Sequence, residues 1–238
     1  MTKLSVNINK VALIRNSRGE NLPDLVVFAK DCESFGAEGI TLHPRPDERH
    51  ARFDDLARLK AVVLTELNVE GYPGERFMAE VLSIQPHQCT LVPDAAHALT
   101  SDAGWDTVAN HELLKEICTQ LRSAGIRSSI FVDPDTAMVQ GAFEVGADRI
   151  ELYTGLYAKN FDQDREGAIA PHIACAKLAA ELGMGVNAGH DLNLDNLRYY
   201  KMEVQPLDEV SIGHALISDA LYFGIQNTIQ MYLHELRD

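Results

Sequence analysis

Short apolar runs recur again and again along this chain, and each delivers a polar or ionisable residue at or near its downstream end. LSVNIN closes on Asn7 and Asn9, GITLHPR on His43 and Arg45, and LNVEG on Glu70. QCTLVPD and SSIFVD close on Asp94 and Asp133, RIELYTG carries Glu151, GVNAGH ends on His190 and EVSIGHA delivers His214. The runs predict strands over 4–9, 39–44, 66–71, 88–93, 127–133, 149–155, 185–190 and 209–215. Helical patterns lie between them. PDLVVFAKDCESFG has Pro23 at a first turn and Gly36 just past the end, and ANHELLKEICTQLRSAG repeats Leu113, Leu114, Ile117 and Leu121 on one face. SFGAEGITL, SAGIRSSIFV, EVGADRIEL and ELGMGVNAG each place a glycine between helix and strand, where a left-handed helix cap turns into the sheet. The repeat matches one βα unit and eight units fit the length. The expectation is an eight-stranded (β/α)₈ TIM barrel with additional helices, as a single domain over 1–238. Two connections, NKVALIRNSRGEN and DAAHALTSDAGWD, exceed a minimal turn and suit lids or binding loops. A final helix from about Ala215, with Leu221, Ile225, Ile229 and Leu233 in register, closes the barrel or serves an interface.

Core packing gives no reason to end a buried strand on His or Glu. Parallel strands alternating with helices open all their C-terminal ends onto one face, where catalytic groups collect, so the pattern points to an enzyme. Net charge of −14 argues against nucleic acid or an anionic membrane as partner, yet leaves room for a phosphorylated metabolite held by local positive charge. No apolar run approaches a membrane span and no signal peptide is recognisable. Cys32, Cys89, Cys118 and Cys175 are scattered, which favours reduced, buried thiols in a cytoplasmic protein.

The densest polar stretch runs from His43 to His50. His43 suits general acid or base work, and Arg45 with His50 could hold a phosphate, against the alternative of a charged surface loop. Glu70 faces the barrel mouth, as a base or as an ion-pair partner for Arg45 or Arg15. Glu151 is aimed inward by strand alternation, for catalysis or for structure. Gly189–His190 and Gly213–His214 end the last two strands, where barrels often bind phosphate through backbone N–H groups. A catalytic metal is not expected: strand 1 ends in NIN rather than HxH, and neither HxxxH nor HExxH occurs in a supporting place.

With these residues in hand, the chain resembles the pyridoxine 5′-phosphate synthase family, essentially end to end. VNIN…RNSRG, GITLHPRPDERH, LNVEG, TLVPD, IELYTG, VNAGHDLN and SIGHALI carry the resemblance, and HxRxDxRH with NAGH and IGHA is its most specific part. It implies a barrel assembled into a homo-octamer, working without cofactor. It implies condensation of 1-deoxy-D-xylulose 5-phosphate with 3-amino-2-oxopropyl phosphate, releasing phosphate and water. It further implies that His43 and Glu70 accept protons, His190 donates one and Glu151 stabilises the transition state. Arg45, His50 and Thr100 match contacts to the sugar phosphate; Asn7, Arg18, Gly213 and His214 match contacts to the amino-ketone phosphate. Two departures stand out: Asn9–Lys10 replaces the family's Asp-His, and Asp191 replaces the glycine after the strand 7 histidine. Lys10 is expected at the barrel mouth, as an anion-binding ammonium or as a Schiff-base nucleophile. Two other readings predict something different: a sugar-phosphate aldolase or isomerase, and a silent oligomeric binding barrel.

Overall fold

Alternation along each strand decides which side chains meet the surrounding helices and which fill the barrel. The computed structural model describes residues 1–93 and 103–237. Its strands are β1 (Lys3–Asn7), β2 (Gly39–Leu42), β3 (Glu66–Gly71), β4 (Gln88–Leu91), β5 (Arg127–Val132), β6 (Arg149–Tyr153), β7 (Gly185–Gly189) and β8 (Glu209–Ile212). All are parallel, pair in chain order and close from β8 back to β1, giving the expected (β/α)₈ barrel. One parity is apolar and buried among the helices: Leu4 and Val6, Ile40 and Leu42, Leu67 and Val69, Ile150 and Leu152, Val210 and Ile212.

The other parity is mostly polar. A hydrogen bond from Asn187 Nδ2 to Gln88 Oε1 (3.4 Å) joins β7 to β4, which lie three strands apart, so it crosses the barrel interior. At the N-terminal end Arg127 pairs with Glu66 and donates to Gln88 (2.9 Å), while Arg149 donates to Asn187 (2.8 Å). Above them Ser5 bonds Thr41 (2.7 Å), Asn68 donates to Thr41 (3.3 Å) and Thr90 donates to Asn68 (3.0 Å). Barrels usually fill this space with branched aliphatics. Here its polar groups are buried largely in bonded pairs, which offsets their desolvation.

The helices are α1 (Asn9–Asn16), α2 (Leu25–Ser34), α3 (Phe53–Lys60), α4 (Glu75–Ile84), α5 (His111–Ser123), α6 (Thr136–Glu144), α7 (Gly155–Glu181), α8 (Leu197–Glu203), α9 (His214–Phe223) and α10 (Ile225–Glu235). Gly36, Gly125, Gly146 and Gly183 all adopt positive φ (103°, 72°, 82° and 78°), as the recurring helix-to-strand glycine predicts.

Three expectations need correction. The connection after β1 is largely α1 rather than loop. Pro23 precedes α2, whose N-cap is Asp24, accepting from Val26 (2.8 Å) and Val27 (3.3 Å). The C-terminal helix is two helices, broken where Gly224 takes φ 75°, so Leu221 points to solvent at 74% exposure while Ile229 is buried. α7 also breaks at Asp164, whose carboxylate caps Gly167 N–H (3.0 Å).

Candidate active site

The C-terminal ends of β1, β2 and β3 meet through asparagines. Asn7 Nδ2 donates to Glu70 Oε2 (3.4 Å), and its Oδ1 accepts from the Asn9 N–H (3.1 Å). Asn9 Oδ1 accepts in turn from the His43 N–H (2.9 Å). The expected substrate contact at Asn9 is thus also a brace for the histidine loop. Gly213 lies against Asn7: a Cβ there would stand 3.1 Å from that of Asn7.

His43, Arg45 and His50 are all buried just past β2. Burial, then the charges of Arg45, His50, His190 and Arg49, holds the His43 imidazolium well below its ordinary range, so the ring is neutral. His50 falls to about 4, through burial and then Arg45, Lys10 and Arg49, with Asp47 opposing. Its Nδ1 accepts from the Ala51 N–H (2.9 Å), which leaves Nε2 as the protonated, donating nitrogen. Lys10, in the first turn of α1, is half-buried beside this cluster. A cation there opposes the helix dipole, and the Lys10 ammonium makes no hydrogen bond or ion pair with a described residue.

Glu151, on β6, is buried at 1% exposure and feels the charge of Glu70. Burial, then Glu70 and Glu209, raises its carboxyl well above the usual range, with a Thr90 hydrogen bond opposing. A Cβ on Gly189 would collide with Glu151 Oε1. The strand-end glycines 189 and 213 therefore lie close against Glu151 and Asn7. His190 follows at φ 80°, a left-handed conformation that costs a non-glycine residue on the order of 1 kcal/mol. Its ring packs against Phe131 (4.7 Å between centroids) and edge-on to Tyr153 (5.5 Å). Asp191 is exposed, and its carbonyl accepts from the buried Asn196 (3.2 Å).

Asn7, Asn9, Lys10, His43, Arg45, His50, Glu70, Glu151 and His190 are thus gathered at one end of the barrel. Arg18 and His214 are exposed, and neither makes an ion pair with a described residue. Thr100 and Asp94 lie outside the described residues. Arg15 is not Glu70's partner: its Nη1 lies 2.6 Å from Asp55 Oδ1. Sequence reasoning missed Phe131 and Tyr153, although both share the inward parity of Ser129 and Glu151. Among the described residues no cluster of three or more His, Cys, Asp or Glu is placed to hold a metal ion.

The family model for pyridoxal phosphate biosynthesis protein PdxJ matches residues 4–238. The chain belongs to the PdxJ family. It is 60% identical over 237 residues to the pyridoxine 5′-phosphate synthase of Cytophaga hutchinsonii, and 55% identical to that of Flavobacterium johnsoniae, with full coverage of both chains. Among solved structures, thiamine phosphate pyrophosphorylase from Pyrococcus furiosus superposes with a TM-score of 0.64 at 12% identity, covering 98% of this chain and 95% of that one. Phosphoribosyl anthranilate isomerase from Thermotoga maritima gives 0.62 at 14%, covering 99% and 98%. These structural likenesses support the barrel fold alone.

Proposed function

We propose that this PdxJ-family enzyme is a pyridoxine 5′-phosphate synthase, joining 1-deoxy-D-xylulose 5-phosphate to 3-amino-2-oxopropyl phosphate. The observation that carries the reading is one end of the barrel where a neutral buried imidazole and two buried carboxyl groups lie near a group of cations. Condensing an amine with a ketone expels water, so a proton must be delivered to the departing oxygen and another removed from nitrogen. Eliminating phosphate and closing the ring repeat that demand. His43, Glu70 and His190 supply groups for these transfers without a redox step.

The electrostatics support a sequence of events. Burial, joined by the charges of Arg45, His50, His190 and Arg49, holds His43 neutral, and burial with Arg45, Lys10 and Arg49 holds His50 neutral. A phosphate arriving among those cations offsets their charge, which relieves the charge-driven part of the His43 depression and leaves the part due to burial. Binding the anion therefore strengthens the base that acts on it. Glu151, holding its proton, donates a hydrogen bond to developing negative charge rather than repelling it. Lys10 binds the sugar phosphate as an ammonium, since the amino substrate already brings the amine that condenses.

We also propose a homo-oligomer, an octamer on the family pattern. Exposed apolar side chains on α9 (Leu221, Tyr222, Phe223) and α1 (Leu13, Ile14) support self-association. Four buried free cysteines support a reducing, cytoplasmic setting. Incubating the protein with both substrates tests the activity: appearance of a pyridine chromophore is expected, and its absence under conditions where a related synthase works would overturn the reading. Turnover of the sugar phosphate alone would point instead to an isomerase or aldolase.

A further inference from the structure

Helix α1 grips the far end of the His43–His50 loop through two side chains that do not belong to the pocket itself. Arg15, 2% exposed, uses three nitrogens. Nη1 meets Asp55 Oδ1 (2.6 Å), Nη2 donates to the His50 carbonyl (3.2 Å) and Nε donates to Asn16 Oδ1 (3.1 Å). Asn16 Nδ2 donates to the carbonyls of Arg49 (3.1 Å) and His50 (2.8 Å). Arg52 Nη2 also donates to Asn16 Oδ1 (2.9 Å), fixing which end of the amide faces the loop. Asp55 is held in its turn by the Arg52 N–H (2.9 Å).

The His50 carbonyl therefore receives two donors, enough to occupy both lone pairs. That carbonyl and the Ala51 N–H belong to one peptide unit, and the unit is planar. Fixing the carbonyl direction fixes the N–H direction. The N–H is the group that bonds His50 Nδ1 at 2.9 Å and turns the ring so that Nε2 carries the proton. The peptide 50–51 works as a rigid coupling: α1 holds one edge and the imidazole rests on the other.

We infer that Arg15 and Asn16 are positioning residues that orient the His50 imidazole, through peptide 50–51, for the anionic end of the sugar phosphate. The inference rests on the reading of the His43–His50 loop as the sugar-phosphate site. A purely structural role, the Arg15–Asp55 pair tying α1 to α3, would affect stability and both substrates alike. A positioning role affects one substrate.

Two variants separate these roles. Arg15→Lys keeps a cation beside Asp55 but cannot span Asp55 and the His50 carbonyl together. Asn16→Ala leaves the ion pair whole and removes both amide bonds. In each, KM for 1-deoxy-D-xylulose 5-phosphate should rise about tenfold, as loss of an oriented hydrogen bond implies. KM for the amino-ketone phosphate and kcat should stay within about twofold. Calorimetric binding of the sugar phosphate alone should weaken by the same factor, so the inference is tested even if the wild-type protein shows no synthase turnover. Wild-type binding without turnover, weakened about tenfold in the variants, would sink the synthase reading and keep the positioning role. Equal shifts in both KM values, or unchanged sugar-phosphate affinity in Asn16→Ala, would overturn it. If Arg15→Lys fails to fold, Asn16→Ala, at a half-buried position, decides alone.

Discussion

At the scale of single residues, the chemistry turns on which groups the barrel mouth leaves uncharged. His43 is kept neutral by burial and by the neighbouring charges of Arg45, His50, His190 and Arg49. A base is competent only when deprotonated, so lowering its pKa moves the acid limb of the rate profile to lower pH. Arg45→Met removes the largest of those charges, and the acid limb of kcat/KM should move to higher pH; an unmoved limb would take His43 out of the base role. Replacing the transfer groups themselves (His43→Ala, Glu70→Gln or His190→Ala) should lower turnover by about two to four orders of magnitude in a steady-state assay. A variant that keeps near-full rate is not a proton-transfer residue. Lys10 belongs at this scale too. Lys10→Met should raise KM for the sugar phosphate more than it lowers kcat. Borohydride added with that substrate should leave the mass of the protein unchanged, whereas an adduct on Lys10 would mean Schiff-base chemistry.

At the scale of elements, strand parity explains both what the sequence reveals and what it conceals. The eight strands, the barrel and the four helix-to-strand glycines are legible because each is a local pattern: an apolar run, a repeat period, a glycine at a helix end. So are His43, Glu70, Glu151 and His190, because strand ends in a parallel barrel share one face. What stays hidden depends on partners distant in the chain. VALIRN reads as loop because nothing local marks Val11 and Ala12 as buried while Leu13 and Ile14 stay exposed, and the job of Arg15 appears only once Asp55, 40 residues away, stands beside it. The separate α9 and α10 are hidden for the opposite reason: the apolar register runs on across Gly224 although the backbone does not. Gly189 shows how far a single strand position reaches. Gly189→Ala would press a methyl into Glu151 Oε1, so the carboxyl or β7 must shift. The expected result is destabilisation of about 1–3 kcal/mol in urea unfolding together with lost turnover. Gly183→Ala, at a left-handed position with open space around it, should lose stability and keep its rate. Matching losses of rate in the two variants would mean that Gly189 has no special link to the site.

At the scale of the whole molecule, the polar barrel core makes stability depend on pH in an unusual direction. Glu209 is buried at the N-terminal end of the barrel, and neither of its carboxyl oxygens has a donor within hydrogen-bond reach among the described residues. Burial, then the charge of Glu66 and a hydrogen bond with it, pushes Glu209 up to about 8 against the opposing pull of Arg149 and Arg127. Arg127 is meanwhile committed to Glu66, and Lys3 stands 3.8 Å from Glu66 as well. The arrangement closes if Glu209 keeps its proton and donates it to Glu66. The folded state then binds a proton that the unfolded chain releases near 4.5. Between that value and about 8 the folded form holds more protons, so stability falls as pH rises, and above about 8 the full cost of a buried carboxylate remains. Most acidic groups contribute the opposite slope, through carboxylates stabilised when ionised. Glu209→Gln keeps the shape and a donor for Glu66 but cannot ionise. Urea unfolding at fixed protein concentration from pH 5 to 9 should therefore show the variant gaining on wild type steadily as pH rises. A constant difference between the two curves across that range would mean that Glu209 is ionised in the folded protein, and that the barrel base is held by charge pairs rather than by a shared proton.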